Sequence, residues 1–239
     1  LLLGCKIIAR RLNAVFRNTV NFVLIGWSDT FEQAEFMILV EDSRAPNPRR
    51  VRIFLAEKGI EVPRQNIDIM AGEHKLPERV RHNPLTRVPY LLFDDGQVLA
   101  ETMAICRYFE ALQPEPVLFG RTPMEIGVVE MWQRRVEHNL LGAIAAVFRH
   151  TNARMADLEV PQVPAWGEAN IDKVSKMLDF MNDELEDRRY VAGEEFTVAD
   201  ITLLCAVDFM KVIRLRPGED HENLKQWHDA VSSRASALA

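Results

Sequence analysis

The stretch Met37-Ile-Leu-Val-Glu-Asp-Ser-Arg-Ala-Pro-Asn-Pro-Arg-Arg-Val-Arg-Ile-Phe-Leu-Ala-Glu-Lys-Gly59 decides the fold. Met37 to Val40 is a short apolar run, as a buried strand requires. Ser43 to Pro48 is rich in turn formers, and Pro48 suits a first helical turn, where the donor it lacks would have no partner. Val51, Phe54 and Leu55 share one helical face at i, i+3 and i+4, and Gly59 can adopt the left-handed conformation that ends a helix. Arg49, Arg50 and Arg52 read as the solvated side of that helix start.

Working outward, residues 66–70 (Asn-Ile-Asp-Ile-Met) alternate as a second strand, which makes a βαβ unit with parallel strands. Tyr90 to Phe93 and Gln97 to Ala100 flank Asp94-Asp95-Gly96, whose Asp-Gly step favours a tight hairpin. Thr102 then reads as a helix cap, with Ile105, Tyr108, Phe109 and Leu112 on one face ahead of Pro114. Residues 114–123 form a proline-bearing linker. Beyond it come only helical patterns: a long helix over 124–150 with Val129, Trp132, Val136, Leu140, Ile144 and Val147 as its buried stripe and Arg134, Glu137 and His138 on the solvent side, and another over 165–187. Thr197-Val-Ala-Asp200 is a capping-box variant, with Phe196 placed to staple onto Ile201. The expected architecture is a small α/β domain over 37–113, βαβ followed by ββα around a mixed four-stranded sheet, and an all-helical domain over 124–239.

Composition narrows the function classes. Across 239 residues, 48% hydrophobic and 27% charged side chains suit a globular chain with a sizeable core. A formal charge of −6 supplies no basic field for nucleic acid. Cys5, Cys106 and Cys205 are widely spaced and odd in number, which points away from a disulfide framework or a zinc site and towards a reducing, cytoplasmic setting. The last two lie in apolar helical patterns and are expected to be buried. The six histidines fall into no metal-binding spacing, so no metal is expected. Residues 1–36 stand apart: Lys6, Arg10, Arg11 and Arg17 precede Asp29, the first acid, and no apolar run is long enough to span a membrane. That segment is read as a leader or as extraneous to the fold.

Four segments carry a resemblance: Pro48 to Gly59, Asn83-Pro-Leu-Thr-Arg-Val-Pro89, Ala100-Glu-Thr-Met-Ala-Ile-Cys-Arg-Tyr108, and Val191-Ala-Gly-Glu-Glu-Phe-Thr-Val-Ala-Asp-Ile-Thr202. In that order and spacing, from Met37 to the C-terminus, the chain resembles the cytosolic glutathione transferases. The resemblance implies a thioredoxin-like N-terminal domain, glutathione as co-substrate, a small electrophile as second substrate, and a homodimer. It implies a cis bond before Pro89 that frees the Val88 backbone to pair with the cysteinyl part of glutathione, as strand addition does elsewhere. Glu101 and Thr102 stand at the family's Glu-Ser pair, where a carboxylate suits the γ-glutamyl ammonium and a hydroxyl at a helix N-terminus suits its carboxylate. His74 and Lys75, in Gly72-Glu-His-Lys75, resemble the cationic segment that reaches the glycyl carboxylate.

The group that activates the thiol departs from the pattern. Ala45 stands where the serine classes place their serine, and Ser43 and Asn47 flank it as the candidate catalytic residues. Gly72-Glu-His-Lys75, Glu125-x-Gly127-Val128 and Glu168 after Trp166-Gly167 are most like a fungal and bacterial branch that lacks the usual Tyr, Ser or Cys. That branch is thought to use the first helix's positive end together with a water held by a serine and a histidine. Ala145 and Arg149 stand at those two positions, with His150 adjacent. The electrophile is expected among Trp132, Val136 and Phe148. The leading expectation is a transferase; a non-catalytic binding module and a glutathione-dependent disulfide reductase are the alternatives, the latter lacking a cysteine between Met37 and Cys106.

Overall fold

The computed structural model describes residues 36–239; the leader reading of residues 1–36, Phe36 excepted, and Cys5 lie outside the described residues. Strand β1 (Met37–Glu41) runs parallel to β2 (Arg64–Asn66) and antiparallel to β3 (Tyr90–Phe93), which pairs antiparallel with β4 (Val98–Ala100). The sheet order is β2-β1-β3-β4, mixed as the crossover and the hairpin require. Leu39 sits opposite both Arg64 and Leu91. Gly96 closes the hairpin at φ 87°.

The second strand lies earlier than the alternation of residues 66–70 predicted. Ile67 is buried and its N–H still reaches the Glu41 carbonyl at 2.7 Å, but the chain then turns. The Asp68 carboxylate accepts from the Ala71 N–H, the Asp68 carbonyl accepts from the Glu73 N–H, and the Ile69 N–H donates to the Asp42 carboxylate. Side-chain hydrogen bonding of a local turn replaces the ladder.

Helix α1 (Pro46–Lys58) begins with Pro46, ahead of Pro48, and ends at Gly59 with φ 64°. Its last residue, Lys58, is buried, and Nζ donates to the carbonyls of Gln113, Pro114 and Pro116 at 2.5–3.0 Å beside the Glu110 carboxylate. A buried ammonium needs such partners, and these tie α1 to the linker. A 3₁₀ turn (Glu73–Lys75) and α2 (Pro77–His82) follow β2, and α3 (Thr102–Leu112) follows β4.

The arginine triplet corrects the sequence reading. Arg50 is 2% exposed and Arg52 8%. Arg52 pairs with the buried Glu41 at the end of β1 and donates to the Ser43 carbonyl at 3.1 Å. Arg49 spans to Asp208 and the Ala237 carbonyl. These side chains are not a solvated face, because α1 is covered by α3 and by the helical layer, where Arg49 and Arg50 find acceptors, while Arg52 finds its own at the end of β1.

That layer comprises α4 (Pro123–Val136), a π-helical segment (Glu137–Leu141), α5 (Gly142–Thr151), α6 (Pro164–Glu184), α7 (Val198–Phe209) and α8 (Glu222–Ser232). The expected stripe Val129, Trp132, Val136, Leu140, Ile144, Val147 is buried throughout. It steps by four residues three times running, from 132 to 144, which would drift about 40° per step in a regular α-helix. The π segment absorbs that drift: the Gly142 N–H reaches back five residues to the Glu137 carbonyl. Glu137, one regular helical turn after the buried Gln133 and first in the π segment, faces the buried Arg50 rather than solvent. The Thr197–Asp200 capping box forms as expected. Among the described residues no helix is long and apolar enough to cross a membrane.

Candidate functional site

The start of α1 concentrates its donors on one residue. Pro46 and Pro48 carry no N–H, the Ala45 N–H donates to the Asp42 carbonyl at 3.0 Å, and the Arg49 N–H to the Ala45 carbonyl at 3.4 Å. Among the described residues the Asn47 N–H has no partner, so the positive end of the helix is expressed there. The Asn47 side chain accepts from Arg50 Nη1 at 3.2 Å through Oδ1. Arg50 Nη2 also meets Met103 Sδ at 3.1 Å, next to Thr102 at the start of α3. One guanidinium thus links the first turns of α1 and α3.

Ser43 lies elsewhere. Its N–H donates to Asn66 Oδ1 at 2.8 Å, and it lines a groove with Arg52, Gly59, Ile60, Val62 and Leu238. Arg52 is about 140° round the helix from Asn47. The two candidate catalytic residues are therefore not brought to one place.

The Val88–Pro89 bond is cis. Val88 is buried, and among the described residues its N–H and C=O pair with no other group. The next exposed rim is the turn from β4 into α3. Glu101 holds φ 71° and ψ 122°, outside the allowed regions of an L-residue, and its side chain is exposed. It is the N-cap of α3, and Thr102 is the first helical residue, buried and without a capping bond. The expectation that Thr102 caps its helix is corrected: the sharp turn at Glu101 advances the helix start by one residue. Such strain costs about 1–3 kcal/mol and is retained where the surroundings impose it.

His74 is also corrected. It is buried, Nδ1 has no partner among the described residues, and burial together with the charges of Lys75 and Arg87 holds its pKa below the ordinary value. It is a neutral imidazole at pH 7, not a second cation. Lys75 is exposed, and Nζ donates to the Asp157 carbonyl at 3.1 Å, joining the α/β part to the segment after α5. In that segment Glu159 receives Arg149 at 3.0 Å, with His150 Nε2 3.8 Å away. His150 Nδ1 accepts from the Val163 N–H at 3.1 Å, so the imidazole serves this loop.

The electrophile lining is redrawn as well. Trp132 and Val136 are 3% and 0% exposed; the Trp132 ring stacks on Phe180 at 5.9 Å with Arg135 and Arg188 against it. Both belong to the hydrophobic core, Trp132 through its contact with Phe180 of α6. Phe148 is half-buried and meets Phe209 edge-on at 5.7 Å, an apolar surface that remains partly open. Cys106 and Cys205 are buried, and burial pushes their thiols up to about 12 and about 11. Among the described residues no cluster of three His, Cys, Asp or Glu side chains could hold a metal ion. Sequence reasoning missed Arg50 and Glu137; the run of four-residue steps in the stripe signalled only the π segment that Glu137 opens.

Comparison with known proteins identifies the family and the fold. The model for the glutathione S-transferase N-terminal domain matches residues 45–112, and that for the C-terminal domain matches residues 164–235. Glutathione S-transferase 2 of Saccharomyces cerevisiae is 36% identical over 222 residues, covering 92% of this chain and 94% of the relative. The crystal structure of Gtt2 from Saccharomyces cerevisiae superposes with a TM-score of 0.80 at 36% identity, over 84% of this chain and 98% of that chain. A class Gtt2 glutathione S-transferase of Vibrio parahaemolyticus gives 0.73 at 31% identity, over 83% and 94%.

Proposed function

This chain belongs to the glutathione S-transferase family and carries that family's activity, and we propose that it adds the glutathione thiolate to small, mostly apolar electrophiles with Asn47 as the activating residue. The observation that supports the reading is that Arg50 bonds Asn47 in the first turn of α1 and meets Met103, the neighbour of Thr102, in the first turn of α3. Glutathione would lie across those two helix starts. The unpaired Val88 backbone next to Pro89 takes its cysteinyl unit, Glu101 its ammonium, and Thr102 its γ-glutamyl carboxylate. Lys75, with His74 as a neutral neighbour, takes the glycyl carboxylate.

The sulfur then reaches Asn47. A free thiol titrates near 8.5, and two donors at a helix N-terminus favour the thiolate over the thiol. Ser43 is the second candidate, less well supported because it faces the groove beside Arg52. Catalysis combines the lowered thiol pKa with proximity to an electrophile resting on Phe148 and Phe209. The alternative disulfide reduction finds no support at Cys106 or Cys205, both buried with raised thiol pKa values.

A cytoplasmic homodimer completes the proposal, with residues 37–113 as the glutathione-binding domain and 124–239 as the electrophile domain. Glu101→Ala tests the glutathione site. Losing a charged hydrogen bond of about 1.5–3 kcal/mol should weaken glutathione binding by about 10- to 100-fold in calorimetric titration, with an unchanged circular dichroism spectrum. Unaltered affinity in that variant would show that the ammonium is held elsewhere.

A further inference from the structure

We propose that Arg50, anchored by Glu137 of the π segment, is a positioning residue that turns the Asn47 amide so that its NH₂ group faces the glutathione sulfur. The inference rests on the reading of Asn47 as the thiol donor. A guanidinium has donors only, so whichever amide atom meets it must be the oxygen. Arg50 Nη1 holds Asn47 Oδ1 at 3.2 Å, which leaves the two amide hydrogens on the side away from Arg50. Without that contact the exposed amide is free to turn its oxygen towards a thiolate and repel it.

The guanidinium itself is fixed from three elements. Nη1 donates to Glu137 Oε1 at 2.9 Å, Nε donates to Thr202 Oγ1 on α7 at 3.1 Å, and Nη2 meets Met103 Sδ on α3 at 3.1 Å. Gln133 on α4, wholly buried, completes the ring: with its amide oxygen turned to Arg50 it accepts from Nη2 at 2.6 Å and its nitrogen donates to Thr202 Oγ1 at 2.7 Å. The thiols of Cys106 and Cys205 lie close enough to feel the guanidinium, and burial keeps both neutral. Among the described residues Glu137 is the one carboxylate bonded to Arg50; its N–H still bonds the Gln133 carbonyl one regular turn back, so it shares the Gln133 face where α4 passes into the π segment. In a continuous α-helix its neighbours on the buried stripe would have drifted away from this face. A π segment at such a place is common where a helix serves a site.

Two variants separate orientation from charge. Arg50→Lys keeps the positive charge and loses the fork that spans Asn47, Glu137 and Thr202. Glu137→Ala removes a negative charge; acting through space alone, that change would lower the thiol pKa, whereas misdirecting the amide raises it. The readout is the ultraviolet titration of the thiolate of bound glutathione, made on the full-length protein and repeated in an Asn47→Ala background, with glutathione affinity and circular dichroism as controls. Expected is a rise of about one unit in both Arg50→Lys and Glu137→Ala, a tenfold loss of thiolate below the pKa, with affinity within about twofold. In the Asn47→Ala background neither substitution should shift the pKa further. Rises that persist in that background, or a fall in Glu137→Ala, would overturn the positioning role while leaving the transferase reading intact. No change on Asn47→Ala alone would instead remove Asn47 as the donor. Should Arg50→Lys fail to fold, Glu137→Ala, at the half-exposed end of the pair, still decides the sign.

Discussion

Replacing the buried carboxylate of Asp200 by an amide separates two quantities that usually arrive together, the hydrogen bonds of a buried acid and the cost of its charge. Asp200 Oδ1 accepts from the Val191 N–H at 2.8 Å and Trp227 Nε1 at 3.0 Å, and Oδ2 from the Thr197 N–H at 2.9 Å and the Thr197 hydroxyl at 3.1 Å. Burial outweighs these donors and pushes its pKa up from 3.8 to about 6. A folded-state value above the unfolded one means that the native state holds the proton more tightly. The stabilising contribution is then complete below about pH 4 and is lost as the pH rises through about 6. Roughly two units at about 1.4 kcal/mol each make that loss about 3 kcal/mol. In Asp200→Asn nothing ionises. The amide does best with its NH₂ towards the Thr197 hydroxyl, which strands the Thr197 N–H at a cost of about 1–3 kcal/mol. Urea unfolding of both proteins from pH 4 to pH 8 should show the variant less stable by that amount at pH 4, and the gap should close or reverse by about 3 kcal/mol by pH 8. At Glu57 and Asp208, burial is outweighed by hydrogen bonds from Arg234 and Ser236 and from His228 and Arg49, so both are held low; their opposite slope is common to the two proteins and cancels. A gap that stays constant or widens with pH would refute the burial argument.

Val136→Ala should destabilise the fold by about 1–3 kcal/mol through a core cavity while leaving the KM for an apolar electrophile unchanged, because Val136 is wholly buried; a changed KM in steady-state kinetics would return it to the electrophile surface. Peptide mapping after brief treatment with an alkylating reagent at pH 8 should find Cys106 and Cys205 unmodified in the native protein and modified in denaturant, since burial both shields the thiols and raises their pKa values. Rapid native labelling of either would contradict the packing of α3 and α7 against α1.

Local chemistry made much of this protein legible. Gly59 ends α1 because its left-handed φ is cheap for glycine, Gly96 closes the hairpin for the same reason, and Thr197 and Asp200 start α7 by satisfying two orphan donors between them. Each depends on residues within a few positions of one another, as does the buried stripe of the long helix; the cis bond before Pro89 was implied by the resemblance. The motif around Val88, Glu101 and Thr102 was legible in the same way, as a resemblance between short segments.

What the sequence by itself determined, then, was the order of elements, the faces they bury and the family. Tertiary structure alone decided which charges lie inside and what they touch. Arg50 and Arg52 read as solvated because a helix start full of arginine usually is; only the approach of Glu41, Glu137 and Thr202 from distant segments gives them partners. The same holds for His74, neutral because of what covers it, for Trp132, stacked on Phe180 of α6, and for Val136, wholly buried in the core. Ser43 and Asn47 were equivalent as residues near the start of α1, and only the turn of the helix set one towards Arg50 and the other towards the groove. Hydrogen bonds between residues far apart in the chain leave no local pattern, since either partner would be placed as well on a solvated surface, and desolvation acts only once the layers have closed.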